Sequence, residues 1–363
     1  MAITKADPSL REKPLIIPIF IMNRGCPNRC IYCNQKIAAG NFDAEITREF
    51  FDGEVNSYLH WNKDKLRTVE IAFYGGSFTG LTENYQKRLL SWAHRYIQAG
   101  LIESIRISTR PDYIDHDRLT FLYSWGVRTI ELGAQSFNND VLNHAKRGHD
   151  AQATVDAMKM LKDHGFKTGL HLMTGLPGDS REIFLHSLEL TVKLHPDTAR
   201  IHPVLVLADT ALAEEYRQGQ YQPLSITEAV FRCLLAWEML APAGIRIIRF
   251  GLQTTPEMNS EGAVLAGPLH PAFGSLVYSG VFYASTLKLL SDIPKDAAQL
   301  HFFVDKRDMS NFRGHQNRNV EAIKKLYPQA RIVIDSDPSI VSGRISLATD
   351  TGGKISLDIP GIL

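Results

Sequence analysis

The feature that most restricts how this chain can fold is a rhythm. Short runs rich in β-branched and apolar residues cover 15–22, 68–73, 104–109, 129–132, 167–173 and 199–207, and amphipathic stretches at 82–98, 116–125, 151–164 and 181–194 follow several of them. Apolar runs alternating with helical periodicity fit βαβ units, in which parallel strands are covered by helices. Six such units predict an α/β fold, a partial (β/α)6 TIM-like barrel over 15–250, with a short extension at 1–14. Past about residue 208 the rhythm weakens into a long helix at 225–240, a turn at Ala241-Pro242-Ala243-Gly244 and a further strand at 245–250. Residues 251–363 read as a smaller α+β appendage: a Gly/Pro-rich loop, a helix, then strands at 299–304 and 331–334.

The ends of the strand runs carry the polar and glycine residues: Arg24-Gly25 then Cys26, Gly75-Gly76-Ser77, Thr109-Arg110-Pro111, Gln135-Ser136 and Thr174-Gly175. In (β/α) barrels the chemistry sits at the carboxyl ends of the strands, so these groups are expected on one face. Charge narrows the partners. The net charge is +1, with 40 basic and 39 acidic residues, and this is not the strong basic excess by which nucleic-acid binders often declare themselves. The 15–22 run is too short to span a bilayer and contains Pro18, and the first dozen residues are polar with both charge signs. No membrane is expected, and a cytoplasmic location is the default.

Of four cysteines, three fall in Cys26-Pro27-Asn28-Arg29-Cys30-Ile31-Tyr32-Cys33, while Cys233 sits mid-helix near Phe231, Leu234 and Leu235 as a small core residue. A tight cluster in a long chain reads as a metal site, not a disulfide framework. Three thiolates leave a tetrahedral zinc site one ligand short, and no histidine stands nearby. Thiolates suit iron–sulfur chemistry, and a cubane held by three cysteines keeps one iron open. On spacing alone, a zinc knuckle and unliganded thiols remain alternatives.

The spacing, with aromatic Tyr32 before the third cysteine, resembles the signature of the radical S-adenosylmethionine (SAM) superfamily. The resemblance implies an oxygen-sensitive [4Fe–4S] cluster on Cys26, Cys30 and Cys33, with the amino and carboxylate groups of SAM on the open iron. It also implies reductive cleavage of SAM to a 5′-deoxyadenosyl radical that abstracts hydrogen from a substrate, with electrons from a flavodoxin or ferredoxin. Carried over by position, the cofactor contacts are Tyr32, Gly75, Gly76, Ser77, Ser108, Gln135, Arg147, His171 and Gly175. Ser77 replaces the Glu of the family's Gly-Gly-Glu element. Gln135 and Arg147 match residues that meet the ribose and the methionine carboxylate. His171 stands where one branch has Asp, and reads equally as a ribose contact or a core-facing histidine.

From residue 20 to about 225 the motifs resemble the radical domain of the Elongator catalytic subunit, which modifies transfer RNA. The resemblance rests on Thr109-Arg110-Pro111-Asp112-Tyr113, the 131–136 segment, Arg147-Gly148-His149, His202-Pro203-Val204-Leu205-Val206 and the 210–221 helix. No acetyltransferase domain is read after it, and the basic arm expected of a transfer-RNA binder is absent. The radical machinery therefore carries over and the substrate does not. A small molecule or a partner-delivered substrate is favoured, with transfer RNA as the alternative; a non-catalytic, metal-stabilised nucleic-acid-binding scaffold is the second alternative. The polar run 310–319 suits phosphate contact but reads better as a helix lead-in with an Asn cap, and the loop 270–274 is expected to reach over the barrel mouth as a lid.

Overall fold

The computed structural model describes residues 14–22, 24–34, 37–38, 45–64, 67–252, 255–350 and 353–362. The expected extension at 1–14 thus lies almost wholly outside the described residues. The chain enters at β1 (Leu15–Phe20), α1 (Arg48–Trp61), β2 (Val69–Tyr74), α2 (Glu83–Gln98), β3 (Ser104–Thr109) and α3 (His116–Ser124). It continues through β4 (Val127–Gln135), α4 (Asn139–His144), α5 (Ala151–Asp163), β5 (Lys167–Thr174), α6 (Arg181–Leu194) and β6 (Thr198–Pro203). After β7 (Val206–Leu207), α7 (Ala211–Arg217) and α8 (Ile226–Leu240) comes β8 (Arg246–Phe250).

These strands form a seven-stranded sheet in the order β1-β2-β3-β4-β5-β6-β8, every pair parallel. The sheet is one strand wider than the six-unit count, because β8 extends it past β6. Its curvature follows from one contact. Four strand spacings of about 4.8 Å would separate β2 from β6 by roughly 19 Å in a flat sheet. Yet the Arg200 guanidinium on β6 donates to the Tyr74 hydroxyl on β2 at 2.9 Å. The sheet is therefore curled into a half-barrel with both residues on its inner face.

Local chemistry explains the helices. Asp115, Asn138, Asp150, Ser180 and Ser225 each accept an amide hydrogen bond at a helix N-terminus, the usual role of a short polar side chain there. The outward faces of the strands carry fully buried Ile71, Phe73, Ile105, Ile107, Ile130, Leu132, Leu170 and Leu172, which pack under the helices. The 199–207 run divides in two. β6 stays in the sheet, whereas β7 pairs antiparallel with β9 (Val264–Ala266) in a small ladder beside the barrel mouth.

The remaining elements are α9 (Phe273–Leu289), β10 (Gln299–Val304), α10 (Met309–Arg313), α11 (Arg318–Leu326), β11 (Arg331–Ser336), β12 (Arg344–Thr349) and β13 (Lys354–Asp358). They build a mixed four-stranded sheet, β11-β10-β12-β13, with β10 parallel to β11 and antiparallel to β12. Val277, Val281 and Phe282 of α9 share one apolar cluster with Leu240 and Phe250 of the barrel and with Phe302 and Ile345 of the small sheet. Asn319 ties the joint, its amide donating to the carbonyls of Ser279, Asn311 and Phe312. The 310–319 run thus knits two helices together. The N-cap of α11 is Asn317, which makes no side-chain cap bond.

Candidate active site at the carboxyl ends of the parallel strands

The cysteine loop is held by its neighbours. The Ile31 amide donates to the Ala145 carbonyl at 3.3 Å, and the Ile31 carbonyl accepts from the Leu212 amide at 2.9 Å. The Asn34 side chain donates to the Ala208 carbonyl at 2.8 Å, and that of Asn28 to the Arg147 carbonyl at 3.3 Å. On the other flank the Ser77 amide donates to the Arg24 carbonyl at 3.1 Å. The contact there is so close that glycine is needed: a Cβ on Gly76 would lie 2.5 Å from the Arg24 oxygen, and one on Gly25 2.1 Å from the Ser77 oxygen. Gly76, just past the end of β2, thus braces the start of the cysteine loop.

Cys26 and Cys33 are exposed and Cys30 is half-buried. Loss of hydration and repulsion from the neighbouring sulfurs push the Cys26 and Cys33 thiols up, and Arg147 opposes both shifts. Among the described residues no three His, Cys, Asp or Glu side chains converge on a point where one ion would sit. A cubane would present each thiolate to a different iron.

Arg147 faces this loop from the segment after α4, where Lys146 and Gly148 adopt left-handed backbone at φ 52° and 72°. Its guanidinium donates to Cys30 Sγ at 3.2 Å, to the Tyr32 hydroxyl at 3.4 Å and to the Gly133 carbonyl at 2.6 Å. It is buried, and among the described residues no carboxylate pairs with it. Around it stand buried polar atoms with no partner among the described residues: Arg147 Nε, Gln135 Oε1 and His149 Nε2. Such orphans are few in folded proteins and ask for an explanation. Gln135 is also strained, with φ 69° at a β-bulge against β5. A buried cation and orphaned donors and acceptors beside three thiols form a cradle that fits an anionic cluster and a polar ligand.

Other expected contacts are placed differently. Ser77 turns inward: its hydroxyl lies 2.9 Å from that of Thr109 and accepts from the Arg110 amide at 3.4 Å. The Gly175 amide donates to Asp179 at 2.7 Å, and its carbonyl accepts from the Tyr221 hydroxyl at 2.6 Å, so both its polar groups are engaged. Ser108 is half-buried on the inner face, level with Glu131. His171 is neither alone nor in the apolar core. Its Nε2 lies 2.7 Å from Nδ1 of His202 on β6. Burial and then Arg200 push His171 down to about 3, and burial, His171, Arg200 and Arg249 hold His202 well below the usual range, so both rings are neutral.

Below the mouth lies a charged layer that the motif reading missed. Glu131 accepts from Arg106 at 2.9 Å, from Arg200 at 3.2 Å and from Tyr74 at 3.0 Å, while Arg106 also pairs with Glu70 at 2.7 Å. A signal existed. Charges inside otherwise apolar strand runs must find partners, and their period of two marks one face.

The same geometry has relatives. Residues 20–191 match the family model described as Radical SAM superfamily, and 196–281 match the one described as Radical_SAM C-terminal domain. The chain belongs to the radical SAM superfamily. As a radical SAM protein it is 27% identical over 270 residues to a tRNA uridine(34) acetyltransferase of Methanocaldococcus jannaschii, covering 61% of this chain and 50% of that one. It is 31% identical over 306 residues to human Elongator complex protein 3, covering 67% and 53%. This radical SAM chain therefore spans about half the length of those curated relatives. Its fold is shared with the archaeal Elp3 of Methanocaldococcus infernus, at TM-score 0.59 and 24% identity over 74% of this chain and 62% of that one. The superfamily implies a [4Fe–4S] cluster, SAM and enzymatic activity. Among the described residues no helix is long and apolar enough to cross a membrane.

Proposed function

We propose that Cys26, Cys30 and Cys33 hold a [4Fe–4S] cluster and that the chain is a radical SAM enzyme acting on a substrate in the half-barrel lumen. When bound, the cluster supplies the electron that cleaves SAM and releases a 5′-deoxyadenosyl radical to abstract hydrogen. The protein's own part is to bind, orient and exclude water. The observation that carries the reading is the buried Arg147 guanidinium, placed against Cys30 Sγ without a carboxylate partner. Its charge balances thiolates, and its planar fork suits the methionine carboxylate. Gln135, aimed by its strained backbone, supplies a free oxygen for a donor on the ligand. The neutral His171–His202 pair offers polar atoms without adding charge to the lumen. Ser77 contributes through its backbone, since its hydroxyl is turned inward. Reduction requires a low-potential donor such as a flavodoxin or ferredoxin.

For the substrate, a small molecule or a partner-delivered group is preferred over transfer RNA. The near-zero net charge and the structural use of the 310–319 run support this preference. The relatives' names favour transfer RNA, which is the second reading. Residues 15–250 would serve as the catalytic unit and 251–363 as an appendage; of the loop at 270–274, His270 and Phe273 line a small pocket with Pro203 and Leu205, at and just past the end of β6.

The test is anaerobic reconstitution with iron and sulfide, then SAM and dithionite. About four irons per chain and formation of 5′-deoxyadenosine are expected, and both should vanish in a Cys26/Cys30/Cys33 triple alanine variant. Zinc without iron, or a loaded protein that forms no 5′-deoxyadenosine, would refute the reading. Binding of bulk transfer RNA across a salt series separates the two substrate classes.

A further inference from the structure

The charged layer below the mouth contains one more arginine than its carboxylates pair with. Glu70 is taken by Arg106, and Glu131 by Arg106, Arg200 and Tyr74. Arg249 on β8 is the direct Cα partner of Arg200 on β6. Partners on adjacent parallel strands present side chains to the same face, and Arg200 faces the lumen. Arg249 therefore stands in the lumen, half-buried, beside a like charge. Among the described residues no acidic side chain lies within ion-pair distance of it. Glu131 already pairs with Arg200, so Arg249 is the arginine of this layer left without a carboxylate of its own, beside a like charge.

A second observation points to the same place. His202 is only 6% exposed. It lies two residues beyond Arg200 on the same face, and its Nδ1 is paired with His171 while its Nε2 has no partner. In the tautomer where His171 Nε2–H donates to His202 Nδ1, His202 Nε2–H is free as a donor, and an anion bound there would select that tautomer. Arg249 on β8 and His202 on β6 thus lie on adjacent strands of the lumen, close enough for the arginine to act on the imidazole electrostatically.

We propose that Arg249 and His202 form a substrate-anion site, which binds a carboxylate or phosphate group of the molecule that the lumen accepts. This rests on the reading that the lumen is the substrate chamber and narrows the substrate to an oxyanion-bearing one. Arg249 supplies the fork that matches either group, and His202 Nε2–H supplies a third donor. The site fixes the substrate by its anionic end.

The experiment uses the full-length, anaerobically reconstituted protein with SAM present, so that the Arg147 cradle does not report. Malonate and, separately, inorganic phosphate are titrated at ionic strength held constant with chloride, followed by calorimetry and by melting midpoint. Wild type should bind one of them saturably; the stronger of the two identifies carboxylate or phosphate as the group. Arg249→Gln should weaken that binding about tenfold or more, and Arg249→Lys by less, since charge remains and the fork is lost. His202→Phe should weaken it about threefold or more. Without added anion, Arg249→Gln should melt no lower than wild type, because it removes a like-charged neighbour of Arg200. Equal anion binding by wild type and Arg249→Gln would overturn the proposal, as would a wild type that binds neither anion. So would a melting point for Arg249→Gln below wild type without anion, since that would mark a purely structural role. The functional reading fails separately, through absent iron or absent 5′-deoxyadenosine in wild type.

Discussion

Replacing Glu131 by Gln tests whether the charged layer holds the curled sheet together. Glu131 joins β4 to β3, β6 and β2 through Arg106, Arg200 and Tyr74. Arg106 and Glu131 have side chains only 8% and 6% exposed, while Arg200 is 20% exposed. Removing one partner of a buried ion pair costs about 3–5 kcal/mol. Arg106 keeps Glu70, and Arg200 keeps Tyr74 and some access to water, so the low end, about 3 kcal/mol, is expected. At an unfolding entropy of about 2.1 cal/mol/K per residue over the whole chain, this lowers the melting midpoint by about 4 °C. Burial pushes the Glu131 carboxyl up, but Arg200 and Arg106 outweigh it and hold it below its ordinary value. Its contribution is therefore complete above the unfolded value near 4.3 and is lost only as pH falls through the lower folded value. Urea unfolding at pH 7 measures the full effect. A double-mutant cycle with Arg200→Gln should show coupling above about 1 kcal/mol. A loss under about 1 kcal/mol for Glu131→Gln, with no coupling, would refute the view that this layer clamps β2 to β6.

Other outcomes follow from the same geometry. Arg147→Ala should weaken SAM binding by about tenfold or more, because a buried charged donor is lost; anaerobic calorimetry showing affinity within about twofold of wild type would remove Arg147 from the site. Gly80→Ala places a Cβ 2.0 Å from the Gly25 carbonyl, backbone against backbone, so the cysteine loop must shift; iron content after reconstitution should fall, with stability lower by about 1–3 kcal/mol. His171, pushed down to about 3, stays neutral in the fold and protonates when unfolded. Stability should therefore fall by about 1.4 kcal/mol per pH unit for this ring as pH drops below about 6.5, and an NMR titration midpoint near 6.5 would contradict its burial.

Much was legible in the chain because its causes are local. Arg181–Leu194 is helical as expected, with Ser180 as its cap, and Cys233 is buried in the core. The Cys26–Cys33 spacing, from which a metal loop was expected, is contained within eight consecutive residues. The α1 helix went unnamed because its apolar face is weak, with only Phe51 and Val55 buried.

The tertiary structure decided what depends on residues far apart in the chain. Whether Ser77 offers a hydroxyl is settled by Thr109, 32 residues away. Whether Gly175 is free is settled by Tyr221, and whether His171 is a lone ligand by His202. The inward charges Glu70, Arg106, Glu131 and Arg200 are readable as charges in strands, but their pairing is not, and neither is the placing of Arg249 beside Arg200. The physical reason is that period and capping are properties of a few neighbouring residues. Pairing inside a curled sheet depends on its curvature and strand register, which only the whole fold sets.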